Sequence, residues 1–393
     1  MRIAILRRTA GASWSMDVYA DRLIDGLKKV RPDWTIVQCA PASEQKQQPF
    51  WLRGIQKYYE RYWRYPAKLS KLNADIFHII DHSDGYLSSW LKRQSKSNIV
   101  TCHDLINLVM PETFVGRAKF PAISMMAWRL GVQGMKKADR IITVSTHTKN
   151  DTVEHLGICD RKIAVIPNAV DSSFRQLDSE RIRQFRQQQG LEPNTLCLLN
   201  VGSNNARKNI STILKVVSQL KSQKIPACFW KVGADFNLEQ KNLIKNWGLQ
   251  DCITYLGQPE AENLVEIYNA ADCLVAPSTY EGFGLTILEA MSCGTAVVTA
   301  NVTSMPEVAG DAAILVPPLD TAEIAKQLTQ LYLNPGERQE LVNKGLERVK
   351  QFTWEQTAEK VARVYEQVVS AAKSSTTEAA FYLPSIISRS NQG

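Results

Sequence analysis

The chain has 393 residues, 44% hydrophobic and 22% charged, a composition that excludes a disordered protein and is long enough for two domains with cores of their own. Its formal net charge of +8 at pH 7 suits an anionic substrate or a membrane surface. No nucleic-acid-binding motif accompanies the charge, so we expect no nucleic-acid partner.

No apolar run approaches the roughly 20 residues that span a bilayer, and we see no signal peptide before the first predicted strand. The eight cysteines are widely spaced and include no CxxC pair, which predicts reduced thiols and no zinc site. We therefore expect a cytoplasmic protein, with peripheral contact to the inner face of the membrane as an open question.

The chain begins with a predicted βα unit. An apolar strand at residues 2–6 is followed by helical periodicity from Met16 to Lys29. Gly11 lies in the loop between them, where a residue without Cβ lets the backbone approach a ligand closely. A single glycine is weak evidence for such a role.

Residues 51–72 combine an aromatic stripe with six Lys or Arg residues and a single Glu. The apolar residues recur at steps of three and four, as on one face of a helix. They are Trp51, Ile55, Tyr58, Tyr62, Tyr65, Leu69 and Leu72. Two interpretations are open: the stripe packs on the protein's own core, or it lies on an anionic membrane surface.

Three predicted strands are preceded by the same dipeptide, Ala-Asp, at 74–75, 138–139 and 271–272. These strands are apolar nearly throughout, as in parallel sheets covered by helices on both faces. The chain therefore predicts an α/β fold of two doubly wound halves. Ligands of such sheets bind beyond the carboxyl ends of the strands, so the cleft between the halves is the expected site.

The residues Cys102, His103 and Asp104 follow the strand predicted at 99–101, so His103 lies at its carboxyl end. At that strand end it either hydrogen-bonds a substrate near neutral pH or is satisfied by neighbouring backbone. His78 and His82, at the preceding strand, are predicted to be structural.

The boundary between the halves falls in the sequence AVIPNAVD, so we assign residues 1–168 to a first domain and 169–352 to a second. Apolar residues at helical spacing predict a final helix at 353–372. The polar remainder, residues 373–393, is predicted to be a loosely ordered tail.

Arg207 and Lys208 lie in a predicted turn between the strand at 196–201 and the next helix. Cations at such a turn can bind a diphosphate as the cleft closes. The alternative is that both stay solvated.

The densest pattern is PSTYEGFGLTILEAMSCG at 277–294, which predicts a strand, a loop and a helix beginning near Leu285. Gly282 and Gly284 flank Phe283 just before that helix. Backbone N–H groups there can cradle an anion without obstruction from Cβ atoms.

Glu281 and Glu289 lie eight positions apart around this loop. Both carboxylates can accept hydrogen bonds from the hydroxyls of one sugar nucleotide. Alternatively, Glu281 is solvated and the helix dipole stabilises Glu289. The chain has neither GxGxxG nor a Walker A sequence, which argues against dinucleotide oxidoreductases and P-loop ATPases.

Together these motifs resemble the retaining glycosyltransferases of family 4, the glycosyl transferases group 1. The similarity covers most of residues 1–370 and rests on TCHD at 101–104, IPNAVD at 166–171, VGSNNARKN at 201–209, EGFGL with EAM at 281–291, and FTWEQTAEKVARVY at 352–365. The family has the GT-B fold, in which two Rossmann-like domains face each other across a cleft and a closing helix packs back toward the first domain.

The resemblance implies a retaining hexosyltransferase that uses a nucleoside-diphosphate sugar, no metal and no further cofactor. The acceptor implied is a glycan or a lipid-linked molecule, in polysaccharide, glycolipid or cell-envelope biosynthesis. Catalysis is assigned to His103, Lys208 and Glu281. Donor binding is assigned to Gly11, Arg207, Gly282, Phe283, Gly284, Leu285 and Glu289.

Two residues depart from the family pattern: Ser203 stands where many members have arginine, and Ala169 where glycine is usual. Arg207 is the candidate substitute for the missing arginine. A nucleotide-sugar epimerase of the same fold and a non-catalytic sugar-nucleotide-binding protein are the alternative functions.

Overall fold

The computed structural model describes residues 1–9, 11, 14–42, 56, 58–111 and 121–381. Its first half contains a parallel sheet in the order β2-β1-β3-β4-β5-β6. The strands are β1 (Arg2–Leu6), β2 (Thr35–Cys39), β3 (Ile76–Ile79), β4 (Asn98–Cys102), β5 (Arg140–Thr143) and β6 (Ile163–Val165). The helices are α1 (Trp14–Val30), α2 (Tyr65–Ser70), α3 (Tyr86–Arg93), α4 (Ile106–Val109), α5 (Pro121–Gly134) and α6 (Thr146–Leu156).

The second half contains a parallel sheet in the order β12-β11-β10-β7-β8-β9. Its strands are β7 (Leu196–Gly202), β8 (Ala227–Gly233), β9 (Ile253–Tyr255), β10 (Cys273–Ala276), β11 (Ala296–Ala300) and β12 (Ile314–Val316). Its helices are α7 (Ser179–Gln188), α8 (Ile210–Ser222), α9 (Leu238–Asn246), α10 (Ala261–Ala270), α11 (Leu285–Ser292), α12 (Met305–Ala309), α13 (Thr321–Leu333) and α14 (Pro335–Val349). The two sheets with their helices confirm the predicted pair of doubly wound α/β halves.

The recurring Ala-Asp dipeptide has a structural explanation. The carboxylates of Asp75, Asp139 and Asp272 each accept a hydrogen bond from the first or second backbone N–H of the strand beside them. The three N···O distances lie between 2.7 and 2.8 Å. Each aspartate therefore satisfies a donor that the ladder leaves unpaired at the strand's start.

The last helix, α15 (Trp354–Phe381), returns to the first half. Its residues Ala358, Val361 and Tyr365 share a buried cluster with Ile3 of β1 and Leu23 of α1. The helix continues beyond the end predicted at 372, so residues 373–381 are helical rather than part of a loose tail. The rest of the predicted tail, residues 382–393, lies outside the described residues.

The basic segment predicted at 51–72 is described only at residue 56 and from Tyr58 onward. Tyr65 and Leu69 are buried at 1% exposure, so this part of the aromatic stripe packs on the protein's own core. The stripe residues Trp51 and Ile55 lie outside the described residues. None of the helices in the described ranges is both long and apolar enough to cross a membrane.

Candidate active site

A cavity of about 320 Å³ lies between the carboxyl ends of the two sheets, and we refer to it as the central cavity. It brings together residues that follow β4, β7 and β10. Of the residues singled out from the sequence, those that line it are His103, Arg207, Lys208, Glu281, Gly282, Phe283, Gly284 and Leu285. The cleft expected from the doubly wound topology is thus where these side chains and amides meet.

The loop after β10 shapes one wall of the central cavity. Gly284 has φ of 105° and precedes α11, which begins at Leu285 as predicted and has no side-chain cap. The first backbone N–H groups of α11 therefore lie at the cavity, and no capping side chain accepts a hydrogen bond from them. At Gly282, an added Cβ would lie 2.0 Å from the carbonyl oxygen of His103, so only glycine permits this close approach of the two halves.

Glu281 is paired with both predicted phosphate-binding cations. Its carboxylate lies 2.5 Å from the Arg207 guanidinium and 2.7 Å from Lys208 Nζ. Burial by itself raises the pKa of the Glu281 carboxyl, but Lys208 and Arg207 outweigh burial and lower the pKa to about 2. The side chain is therefore ionised at neutral pH, and Arg207 and Lys208 form ion pairs instead of staying solvated.

Glu289 lies on α11, one to two turns beyond the loop, and is only partly exposed. Its carboxylate accepts a hydrogen bond of 2.6 Å from the Tyr268 hydroxyl. Burial raises the pKa of Glu289, while this hydrogen bond and Lys208 act in the opposite direction. Glu289 does not belong to the residues that line the central cavity, unlike the other predicted glutamate.

His103 is buried at the end of β4, with its ring edge toward Tyr19 at 4.8 Å between centroids. Its Nε2 lies 2.9 Å from the Ile80 carbonyl oxygen, which only accepts, so Nε2 carries the proton. Burial lowers the pKa of His103, with partial compensation from Asp81. The ring is therefore neutral near pH 7 and has Nδ1 as its remaining acceptor.

Gly11 has φ of 74°, and its N–H donates to Asp17 at 3.1 Å. An added Cβ there would meet nothing within 4 Å, and Gly11 is absent from the lining of the central cavity. Ser15, Met16 and Tyr19 of α1 line that wall instead. The sequence analysis missed them, although the first turns of a helix that follows β1 must lie at the carboxyl edge of the sheet.

A second cavity of about 540 Å³ adjoins the first and shares His103, Asp104 and Arg207 with it. We refer to it as the lateral cavity. It is lined almost entirely by the first half, including Arg8, Tyr62, Asp81, His82 and Trp128. The sequence analysis did not assign this group to the site, because its members come from elements that are far apart along the chain and share no local motif.

A larger cavity of about 600 Å³ lies beside the linker, between α1 and the start of α15. None of the predicted site residues lines it. Size alone is therefore a poor guide to the site, and the converging polar side chains and helix amides favour the central cavity.

A model of the family Glycosyl transferases group 1 matches residues 181–348, and a model of Glycosyltransferase Family 4 matches residues 16–174. The two matches together span most of the chain. The chain belongs to the family 4 glycosyltransferases.

Curated relatives of this family 4 chain include two mannosyltransferases of Escherichia coli. The serotype-specific mannosyltransferase WbdA is 27% identical over 302 residues, 74% of this chain and 36% of WbdA. O-antigen chain mannosyltransferase B is 28% identical over 286 residues, 70% of this chain and 72% of that enzyme. The match to WbdA thus spans little more than a third of its length.

Among solved structures, Anabaena HepE in complex with UDP aligns with a TM-score of 0.73 at 18% identity. The alignment covers 93% of this chain and 100% of HepE. It confirms the predicted GT-B architecture for this glycosyltransferase family member. In this chain, Arg207 lines the central cavity from the turn Ala206–Lys208, four residues beyond Ser203.

Proposed function

We propose that the protein transfers a hexosyl group from a nucleoside-diphosphate sugar to a glycan or lipid-linked acceptor. The observation that carries this proposal is the group formed by Glu281, Lys208 and Arg207 at the start of α11, opposite His103. It combines a hydroxyl acceptor, two cations and free helix amides around one cavity.

In this proposal the donor diphosphate binds Lys208, Arg207 and the amides of 282–285. Glu281 then exchanges part of its ion pairing for the hydroxyls of the sugar, and His103 lies beside the sugar that is transferred. Glu289 is the proposed ribose ligand; its present hydrogen bond to Tyr268 holds its carboxylate at the side of α11. Gly11 remains a proposed phosphate contact from the first half.

The proposed reaction breaks the bond between the anomeric carbon and the phosphate oxygen and forms a bond to an acceptor hydroxyl oxygen. The hydroxyl proton leaves with the nucleoside diphosphate. Cations and helix amides stabilise the charge that develops on the leaving group, so no metal is required. Retention of configuration is part of the proposal and follows the family resemblance.

The lateral cavity is the proposed acceptor site because it opens into the central cavity at His103 and Asp104. Tyr62 and Trp128 contribute aromatic rings to its lining, and Asp81 and Asp104 contribute carboxylates, the groups that commonly bind sugars. The mannosyltransferase relatives favour a mannosyl donor and a role in polysaccharide or cell-envelope biosynthesis.

We also propose a cytoplasmic protein that contacts the inner face of the membrane. Tyr59 and Trp63 are 58% and 64% exposed, and Lys68 and Lys71 are exposed on the same segment. Neither aromatic residue belongs to the stripe predicted from the sequence. The segment also contributes Tyr62 to the lateral cavity, so a membrane contact here brings a lipid-linked acceptor close to its proposed site.

The direct test offers a panel of nucleotide sugars, with and without glycan acceptors, and measures release of nucleoside diphosphate. We expect one donor class to be turned over in an acceptor-dependent reaction. If the donor sugar is epimerised when no acceptor is present, the protein is an epimerase instead. Donor binding with neither transfer nor hydrolysis contradicts the enzyme proposal.

Lys208→Ala tests the phosphate contact. A charge-assisted hydrogen bond in a desolvated site contributes about 1.5 to 3 kcal/mol, so kcat/KM should fall by about tenfold or more. The matched control is Lys326→Ala, because Lys326 is exposed on α13 and lines neither cavity. Unchanged turnover in Lys208→Ala excludes Lys208 from the site.

A further inference from the structure

Tyr280 joins the two halves of the protein immediately before Glu281. It is buried at 3% exposure, and its hydroxyl donates to Oδ2 of Asp151 at 2.6 Å. Asp151 lies on α6 in the first half and is 6% exposed. The contact therefore links a helix of the first half directly to the loop that carries the predicted sugar ligand.

The chemistry of this pair makes it a strong hydrogen bond. A buried carboxylate requires donors, and the Tyr280 hydroxyl is at charge-assisted distance from Asp151. The imidazole Nε2 of His147, one turn earlier on α6, lies 3.4 Å from the same oxygen. Burial is the larger cause, and the neighbouring Asp151 carboxylate the smaller one, of a raised pKa at Tyr280, so the phenol keeps its proton.

The residue after Glu281 is held by the same helix. The carbonyl oxygen of Gly282 accepts hydrogen bonds from Ser145 Oγ at 2.7 Å and from Thr148 Oγ1 at 3.1 Å. Ser145 is the N-cap of α6, and its Oγ also accepts from the Thr148 N–H. Helix α6 thus contacts the chain on both sides of Glu281.

We propose that Tyr280 and Asp151 are positioning residues that couple closure of the two halves to the placement of Glu281 for sugar transfer. The inference rests on the proposed function. The cations that pair with Glu281 belong to the second half and are anchored there, since Arg207 also donates to the Tyr280 carbonyl at 3.0 Å. The contact between the two halves and the ion pairs of Glu281 are therefore both made by the loop that follows β10.

The decisive variants are Tyr280→Phe and Asp151→Asn. Tyr280→Phe removes only the hydroxyl, and we expect kcat to fall by about tenfold or more, because a hydrogen bond to a buried charge is lost. Affinity for free nucleoside diphosphate should fall less than kcat does, since Lys208, Arg207 and Glu289 lie outside the loop that the hydroxyl of Tyr280 holds. Backbone amides of 280–284 should exchange hydrogen faster.

Asp151→Asn should produce the same two changes, and the double variant should lose no more than either single variant. The matched control is Tyr332→Phe, in which a partly buried tyrosine of α13 loses its hydroxyl away from the interface. It should keep the wild-type kcat and exchange rates. Thermal unfolding of each variant shows whether it is folded. If Tyr280→Phe is not folded, Asp151→Asn provides the test.

Normal turnover in Tyr280→Phe overturns the inference, and so does reduced turnover with unchanged amide exchange. Failure of the wild-type protein to turn over any donor is a different result, because it refutes the proposed function. Even then, amide exchange in Tyr280→Phe decides whether Tyr280 and Asp151 hold the loop. If exchange at residues 280–284 is unchanged, the inference is wrong as well.

Discussion

Glu281 shows how one side chain acquires its properties from its neighbours. It is 13% exposed, and burial alone favours the neutral acid. Two cations on a turn more than seventy residues earlier reverse this preference and keep the carboxylate charged. The same ionised group is the proposed acceptor for sugar hydroxyls, so stability and substrate binding depend on one set of contacts.

This pKa shift predicts an acid-dependent loss of stability. The folded pKa of about 2 lies below the ordinary value of 4.5, so the contribution is fully present above pH 4.5 and is lost as the pH falls toward 2. At about 1.4 kcal/mol per pKa unit the contribution is about 3 kcal/mol. Urea unfolding at pH 5 and pH 3 measures the part that is lost in this range, about 2 kcal/mol.

Glu281→Gln should lose less stability between those two pH values than the wild-type protein does. Glu262→Gln, at an exposed position of α10, should follow the wild-type protein. Equal pH dependence in all three proteins contradicts the ion-paired state of Glu281. In kinetics, Glu281→Gln should impair transfer more than binding of free nucleoside diphosphate.

At the scale of elements, α15 is joined to the first sheet by a buried polar chain. His78 of β3 lies 2.6 Å from the Tyr365 hydroxyl through Nδ1 and 2.7 Å from Thr101 Oγ1 through Nε2. His78 is thus structural, as its sequence position suggested. Burial, assisted by the nearby His103, lowers the pKa of His78 to about 3. The ring is neutral in the folded protein at all ordinary pH values.

A buried neutral histidine makes folding sensitive to mild acid. Between pH 6.5 and 3 the unfolded chain binds a proton that the folded protein does not, so stability falls as the pH decreases through this range. His78→Gln should be less stable at pH 7 and should show a shallower loss between pH 6.5 and 4.5. Denaturant unfolding at these pH values tests this.

His155→Gln is the matched control, since His155 is exposed on α6. It should retain the wild-type dependence on pH. An identical slope in His78→Gln and wild-type protein means that His78 does not stay neutral in the folded state. The comparison separates this histidine from the carboxylates, which titrate at lower pH.

At the scale of the whole molecule, residues 58–71 of the first half combine exposed aromatic rings with exposed cations. Trp63 packs edge to face with Trp90, with their centroids 6.4 Å apart, yet remains largely exposed. Exposed aromatic rings beside cations are typical of proteins that lie on anionic membranes. In the buried part of the segment, Arg61 instead pairs with Asp84 and holds the segment to the protein.

Flotation with anionic liposomes tests the membrane contact. We expect binding at low salt and loss of binding at high salt, because each surface cation contributes about 1 kcal/mol. Trp63→Ser should weaken binding at low salt. Leu333→Ser, which removes a similarly exposed apolar residue from the second half, should leave it unchanged. Absence of binding at either salt concentration ends the proposal.

Much of the fold follows from local sequence patterns. The apolar runs behind the Ala-Asp dipeptides, the helix that begins at Leu285 and the closing helix all follow from spacing. The end of that helix does not follow from spacing. The chain becomes polar beyond residue 372, which suggested a tail, but the helix continues to Phe381. The aromatic stripe was partly misleading: Tyr65 and Leu69 are buried, whereas Tyr58 of the stripe is exposed, as are Tyr59 and Trp63 outside it.

By itself the sequence determined the two α/β halves and the chemical groups of the cleft, because strand periodicity and glycine positions are local properties of the chain. Only the tertiary structure decided which groups touch. It paired Glu281 with Arg207 and Lys208, moved Gly11 and Glu289 away from the cavity lining, and joined Tyr280 to Asp151. These contacts join loops that are far apart along the chain, and the contact of Tyr280 with Asp151 also joins the two halves, so no local spacing encodes them.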